Sequence, residues 1–409
     1  MAIWSYTASP IHYCKVSGGI AIFFLWVNKC QGEKTKMRQS SSLSLDSCLI
    51  PHFGQPSPNA IPQPSPFPPL PKTPLVSILM PNYNYARYIP KAIQSVLDQT
   101  YSHWELIVSD DGSTDNSLDV IANFLRKYPR IKLIQKPNAG VASAINQAFY
   151  QSAGNIICFL DSDDVFAPEK LATIVSQFQC DPCLGYVTHK MQFIDANGVK
   201  GHIFPLACEH GYLRDKIYAR GGFIQLPPSS AICLRKELAD IIFPIDETHF
   251  RQLADAYIYT LAGLLTKTAC LNDVLSFYRV HGSNLTHKDT LHVDSILHTR
   301  NNILHYLTGV NNKLHHMGYS PIDIMKNSYL HTLETRLALC QNNLNSREAF
   351  TLIVKFIHSR MCDRYLKARE RAYAFLYVVL IFFPQKLRSI LLMKALKLRR
   401  DALRTFFSR

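Results

Sequence analysis

An α/β fold with a mostly parallel sheet is predicted by three features of this 409-residue chain. Short apolar runs stop at polar residues, helix-like segments lie between them, and carboxylates gather where two of the runs end. Val76-Ser77-Ile78-Leu79-Met80, the first strand, ends at Pro81-Asn82-Tyr83-Asn84. Residues 89–97 then read as a helix, with Pro90 in the first turn and Ile89, Ala92, Ile93, Val96 and Leu97 on an apolar stripe. Leu106-Ile107-Val108 gives a second strand that stops at Ser109-Asp110-Asp111-Gly112-Ser113. Leu118, Ile121 and Leu125 mark a helix over 117–128, Ile131-Lys132-Leu133-Ile134 a third strand, and 141–153 a third helix. Ile156-Ile157-Cys158-Phe159-Leu160 is apolar enough for a buried strand and runs directly into Asp161-Ser162-Asp163-Asp164. Alternation of strand and helix makes sheet neighbours parallel, and ligands of such sheets bind outside the carboxyl ends of the strands. Asn82, Asp110, Asp111, Asp161, Asp163 and Asp164 are therefore expected around one crevice.

The last of these clusters poses an electrostatic problem. Three carboxylates at ordinary pKa values are all ionised at neutral pH, and at contact distance they repel. A divalent cation at the strand end solves this; a solvated turn, with an Asp capping the helix that follows Pro168, is the other solution. No Gly-x-x-x-x-Gly-Lys-Ser/Thr loop occurs, and Asn82-Tyr83-Asn84-Tyr85 stands where a Gly-x-Gly-x-x-Gly would follow the first strand. Both absences argue against P-loop chemistry and against a dinucleotide oxidoreductase. A diphosphate bound without a glycine cradle needs another counter-charge, which a metal on the aspartates would supply.

Taken together, Val76 to Asn84, Gln94-Ser95-Val96-Leu97-Asp98-Gln99-Thr100-Tyr101, Trp104-Glu105-Leu106-Ile107-Val108-Ser109-Asp110-Asp111-Gly112-Ser113-Thr114-Asp115 and Asp161-Ser162-Asp163-Asp164 resemble a family 2 glycosyltransferase of the GT-A fold, a Rossmann-like nucleotide-diphospho-sugar transferase fold. The likeness is clear over 74–164 and weaker to 286. It implies inverting transfer of a sugar from a UDP- or GDP-type donor to an acceptor hydroxyl, with Mn2+ or Mg2+ as cofactor. Carried over by residue, Asp111 would bond the base, Pro81 and Tyr83 would line its pocket, and Asp110 would brace the loop. Asp161 would meet the ribose and the metal, Asp163 and Asp164 the metal, and His281, in Ser276-Phe277-Tyr278-Arg279-Val280-His281, would approach metal or diphosphate. Gly140 would let the 138–146 loop approach the donor closely. Many relatives carry Arg where Ile145 stands, so Lys136 is the expected source of a charged donor contact. The catalytic base is expected at Asp255, in Arg251-Gln252-Leu253-Ala254-Asp255, where Ala254 replaces the Glu of the family's Glu-Asp pair. Pro227-Pro228-Ser229-Ser230 is placed near the acceptor pocket by position alone.

Four regions are expected: an N-terminal extension over 1–50, a Pro/Ser-rich linker over 51–73, the GT-A domain over 74–288, and a helical region over 289–409 that ends in a basic amphipathic tail. The net charge of +14, from 44 basic and 30 acidic residues, suits nucleic acid, anionic lipid or an acidic donor. Much of it lies in the tail, where Lys386, Arg388, Lys394, Lys397, Arg399, Arg400, Arg404 and Arg409 alternate with apolar residues. That pattern suggests peripheral attachment to the inner face of an anionic membrane, since the apolar run over 372–383 is too short to span. Eleven cysteines without a disulfide framework suggest a reducing, cytoplasmic compartment. Saccharide, lipid-linked and protein acceptors all suit a glycosyltransferase of surface polysaccharide or glycoconjugate synthesis, with no specific nucleic-acid partner. The competing functions are a noncatalytic basic protein bound to nucleic acid or a membrane surface, and a nucleotidyltransferase; the latter would carry a Gly-rich basic loop where Asn82-Tyr83-Asn84 stands.

Overall fold

A computed structural model describes residues 65–203, 209–222, 228–250, 253–281 and 293–327, with a few positions between 329 and 337. The N-terminal extension, most of the linker and the basic tail lie outside the described residues. Strand β1 (Val76–Asn82) is buried at every position except Pro81. It pairs in parallel with β2 (Trp104–Asp110) on one side and β4 (Ile156–Phe159) on the other, and β2 pairs in parallel with β3 (Ile131–Gln135). A strand covered on both faces reads as a near-continuous apolar run, which is how β1, β2 and β4 announce themselves in sequence.

Side chains alternate across this sheet and fill two cores. Ile78, Met80, Leu106, Val108 and Cys158 pack with α1 (Ile89–Leu97), α2 (Ser117–Leu125) and α4 (Lys170–Cys180). Leu79, Ile107, Ile157 and Phe159 pack with α3 (Val141–Tyr150), α6 (Lys236–Ile242) and α7 (Ala254–Leu265). The short α5 (Arg214–Ala219) adds Ile217 to the second core. Helix α8 (Val293–His316), beyond the boundary expected at 288, adds Tyr306, Leu307, Val310 and Leu314 to that same core.

Beyond β4 the sheet changes character. β8 (Cys233–Arg235) joins β4 antiparallel, β6 (Leu184–Ile194) joins β8 antiparallel, and β9 (Lys267–Arg279) runs parallel to β6 with register shifts. β5 (Val165–Phe166) closes the edge against β9, and β7 (Lys200–Ile203) extends β6 as a hairpin. The order among the described residues is β3-β2-β1-β4-β8-β6-β9-β5. Parallel pairing thus holds for the first half of the sheet, while the second half is mixed. Other boundaries shift slightly. β2 continues through Ser109 and Asp110 because both stay in register with β1. Helix α2 stops at Leu125, where the amides of Lys127 and Tyr128 both turn back to the Phe124 carbonyl. Helix α3 stops at Tyr150 rather than 153.

Candidate active site

The carboxyl ends of β1, β2 and β4 carry the polar residues that the strand pattern placed there. Asn82 and Asp110 are register partners, and the Asn82 amide donates to Asp110 Oδ2 at 2.7 Å. Asp110 also accepts from the Ser113 amide at 2.9 Å and the Ser113 hydroxyl at 2.7 Å. Asn84, in the left-handed region at φ 59°, accepts from the Thr114 amide at 2.7 Å. These bonds knit the 82–85 and 110–115 loops together, with Asp110 as the brace.

Asp111 is buried and fully engaged within the protein. It pairs with the Lys136 ammonium and accepts from the amides of Ala139 at 2.9 Å and Gly140 at 2.8 Å, at the start of α3. An anion suits a helix N-terminus, where the free amides and the helix dipole both favour it. Gly140 has φ 97° and Gly112 φ 78°, conformations that favour glycine; a Cβ on Gly112 would also stand 3.0 Å from the Asn138 amide nitrogen. Lys136, the expected source of a charged donor contact, directs its charge at Asp111 and bonds the Pro137 carbonyl at 3.0 Å. Pro81 ends β1 half-buried, and Tyr83 stands at the rim, 46% exposed.

The Asp161-Ser162-Asp163-Asp164 loop behaves differently. Ser162 donates to the Pro81 carbonyl at 2.8 Å, tying the loop to the end of β1. Burial, then the charge of Asp163 and then that of Asp255, push the Asp161 carboxyl up to about 8. Burial raises Asp163 as well, against the opposing pull of His281, whose Nε2 lies 2.9 Å from its carboxylate. Asp164 is raised by burial and then by Asp163 and Asp161. Its Oδ1 accepts from the Arg279 amide at 2.9 Å, and its Oδ2 is buried without a hydrogen-bond donor in bonding geometry. These are like charges forced together in a dry place, as the sequence required.

Asp255 lies in the first turn of α7, after Leu253 in the left-handed region at φ 61°. It accepts from the Ala256 amide at 2.8 Å, and burial raises its pKa. Its charge acts on Asp161, so the expected base lies within electrostatic reach of the expected donor carboxylate although 94 residues separate them.

Roles for Tyr85, Tyr88 and Arg279 were not anticipated, whereas Ser230 was placed near the acceptor pocket by position. Tyr85 is raised by burial and then by Asp163 and Asp161, which sets its hydroxyl beside the cluster. Tyr88 stacks on His281 at 4.6 Å, and Tyr85 meets the same ring edge-on at 5.8 Å. Arg279 is buried and donates from Nε to the Asp163 carbonyl at 2.8 Å. Ser230, in the 3-10 turn Ser229–Ala231, accepts the Asp161 amide at 3.0 Å, so this turn abuts the cluster. The one available sequence signal was the aromatic spacing of Tyr85 and Tyr88 at the start of α1.

The donor set suits a hard divalent cation. No group of three or more His, Cys, Asp or Glu side chains among the described residues stands ready as a cage. Mg2+-type sites, however, use one or two carboxylates and complete the shell with water and phosphate oxygens. The half-buried Asp161 and the buried Asp163 and Asp164 provide such carboxylates. The cysteines depart from expectation in one respect: Cys158, Cys180, Cys183 and Cys233 are free, but Cys270 is disulfide-bonded, a pairing that spacing alone does not reveal. Cysteine usage therefore no longer argues for a reducing compartment.

A parallel half-sheet thus gathers braced Asp loops at its strand ends, beside a second carboxylate cluster at the end of β4. Residues 77–229 match Glycosyl transferase family 2. An uncharacterized glycosyltransferase of Nostoc sp. is 39% identical over 217 residues, which are 51% of this chain and 66% of that one. The Escherichia coli UDP-Glc:alpha-D-GlcNAc-diphosphoundecaprenol beta-1,3-glucosyltransferase WfgD is 39% identical over 128 residues, 31% of this chain and 49% of its own. The crystal structure of Staphylococcus aureus TarS 1–349 with UDP-GlcNAc is 20% identical, at a TM-score of 0.47 over 74% of this chain and 88% of that one. The matched segment therefore spans between about half and two thirds of these two curated relatives.

Proposed function

We propose that the chain is an inverting glycosyltransferase that moves a sugar from a UDP- or GDP-type donor to an acceptor hydroxyl in surface polysaccharide or glycoconjugate synthesis. The observation that carries this reading is the charge of Asp163 and of Asp255 acting on the Asp161 carboxyl, which puts a lone helix-borne carboxylate within electrostatic reach of the cluster. Asp255 is the base. Burial raises its proton affinity, which suits a group that must take a proton from a hydroxyl. As the acceptor oxygen bonds the anomeric carbon, its proton passes to Asp255 and the bond from that carbon to the diphosphate breaks, so the nucleoside diphosphate departs on the opposite face.

The 81–85 and 110–113 loops would hold the nucleoside, with Pro81 and Tyr83 against the base and Asp110 keeping the loops in place. Asp111 anchors the 136–140 loop beside them through Lys136 and the Gly140 amide. Asp161 and Asp163 would hold Mn2+ or Mg2+, with Asp164 and His281 adjacent; such an ion, when bound, neutralises the diphosphate and improves it as a leaving group. The WfgD relative, named for a diphosphoundecaprenol-linked acceptor, makes lipid-linked saccharides the first acceptors to try, before free saccharides and proteins. Such an acceptor accords with peripheral membrane attachment through the basic tail; no described helix is long and apolar enough to cross a membrane.

A panel of UDP- and GDP-sugars with and without Mn2+, read by release of nucleoside diphosphate, tests the reading. Cation-dependent release from one donor, lost in Asp163→Ala, is expected. Release from none of them, or release indifferent to Asp163→Ala, contradicts it.

A further inference from the structure

Lys170 opens α4 and is 0% exposed. Both facts are unfavourable for a cation: burial strips its hydration, and a helix N-terminus already carries positive partial charge. Lysine is almost never fully buried unless something pairs with it. Here the ammonium donates to the Ser230 carbonyl at 2.7 Å and to the Ser276 hydroxyl at 3.2 Å, and sits 3.4 Å from the centre of the Phe166 ring. The Ser276 hydroxyl donates in turn to the same Ser230 carbonyl at 2.9 Å. Ser230 then reaches the site through its own hydroxyl, which accepts the Asp161 amide at 3.0 Å. A continuous chain of bonds runs from the buried ammonium, through the Ser229–Ala231 turn, to the first aspartate of the cluster.

We propose that Lys170 is a positioning residue for sugar transfer, its ammonium pinning the Ser229–Ala231 turn to β9 and thereby fixing Asp161 at the mouth of the carboxylate cluster. The inference rests on the glycosyltransferase reading above and adds to it a residue that touches neither donor nor acceptor. Burial lowers the Lys170 pKa, and the nearby Cys233, Cys158 and Asp164 oppose that lowering. A neutral, apolar group of similar length at 170 would fill the space and leave the Ser230 carbonyl with one donor fewer. The turn would then be free to shift, and with it the Asp161 backbone.

The test measures, on the full chain, the Mn2+ concentration that gives half-maximal thermal stabilisation by saturating UDP, with GDP in parallel. Lys170→Met should raise that concentration on the order of 10-fold, the cost typical of lost support behind a metal ligand. Ser230→Ala, which removes the hydroxyl link to Asp161 and leaves the backbone carbonyl intact, should raise it in the same direction. A purely structural lysine would lower the melting temperature without moving the cation requirement. Should Lys170→Met fail to fold, Ser276→Ala, which removes one of the ammonium's partners, should still give a smaller rise. An unchanged cation requirement in Lys170→Met, or in Ser276→Ala where that is the folded variant, overturns the proposal. Asp163→Ala separates the two levels: nucleotide stabilisation that survives it overturns the glycosyltransferase reading itself, whereas its loss beside an unaltered Lys170→Met overturns the role of Lys170 alone.

Discussion

The two acidic loops at the strand ends differ in how well their charges are met. At the end of β2, Asp110 and Asp111 are saturated: amides, hydroxyls and the Lys136 ammonium answer their oxygens. At the end of β4, Asp161, Asp163 and Asp164 are crowded and dry, and all are raised above the usual carboxylate range. The first arrangement is a braced scaffold whose carboxylates are already engaged within the protein. The second holds carboxyls whose ionisation is disfavoured by burial and by one another, an arrangement that a cation would relieve. Under the proposed function the contrast would divide the donor between them, nucleoside toward the saturated loops and diphosphate toward the crowded cluster.

Substitutions should break this contrast unevenly. The largest effect is expected on chemistry: Asp255→Asn should lower transfer about 10²- to 10⁴-fold, the usual contribution of a general base. Donor binding should persist, and kcat with an unchanged donor KM is the measurement. Asp163→Ala should lower transfer on the order of 10²- to 10³-fold through loss of transition-state charge stabilisation. It should not lower the melting temperature of the cation-free protein as much, because it removes one of several repelling charges. Asp111→Asn belongs to the other class. Loss of its charge-assisted bonds to Lys136 should cost about 1 to 3 kcal/mol of stability, seen by denaturant unfolding, with a smaller fall in turnover.

The pH dependence of stability should also separate the loops. The folded pKa of Asp161, about 8, exceeds the ordinary aspartate value of 3.8, so the native state holds that proton more tightly than the unfolded chain. Its contribution is full below about 4 and is lost as pH rises toward about 8. Without cation, stability attributable to the cluster should therefore decline across that window, and millimolar Mn2+ should flatten the decline in thermal melting. The smallest effect is expected at the rim. Tyr83→Ala should raise donor KM about 2- to 10-fold, the worth of one ring contact, and leave kcat unchanged.

Much of the first half of the molecule could be read from sequence because its strands are buried on both faces and its helices are amphipathic. Helix 89–97 appears with those bounds, and the aspartates appear where the strands end. The second half was less legible. β6 and β9 pair over long sequence distances with register shifts, and β8 enters the sheet through only three residues, so no local period announces them. Lys170 looks like an ordinary surface lysine after Pro168-Glu169; its burial comes from the packing of β9 and the Ser229–Ala231 turn. Asp111 was legible as a site residue, but its bonds to the 136–140 loop were not, since they depend on how that loop folds back over β2. Asp255 was singled out through family resemblance, whereas its electrostatic influence on Asp161 depends on the fold.

The division of the donor between a satisfied loop and a frustrated cluster is tested most directly by nucleotide-induced thermal stabilisation of three proteins, with and without Mn2+, using UDP and GDP. The unaltered chain and Asp255→Asn should both be stabilised by one of the two nucleotides in a Mn2+-dependent way, and Asp163→Ala should not. Equal stabilisation of Asp163→Ala, or stabilisation indifferent to Mn2+, would contradict the account.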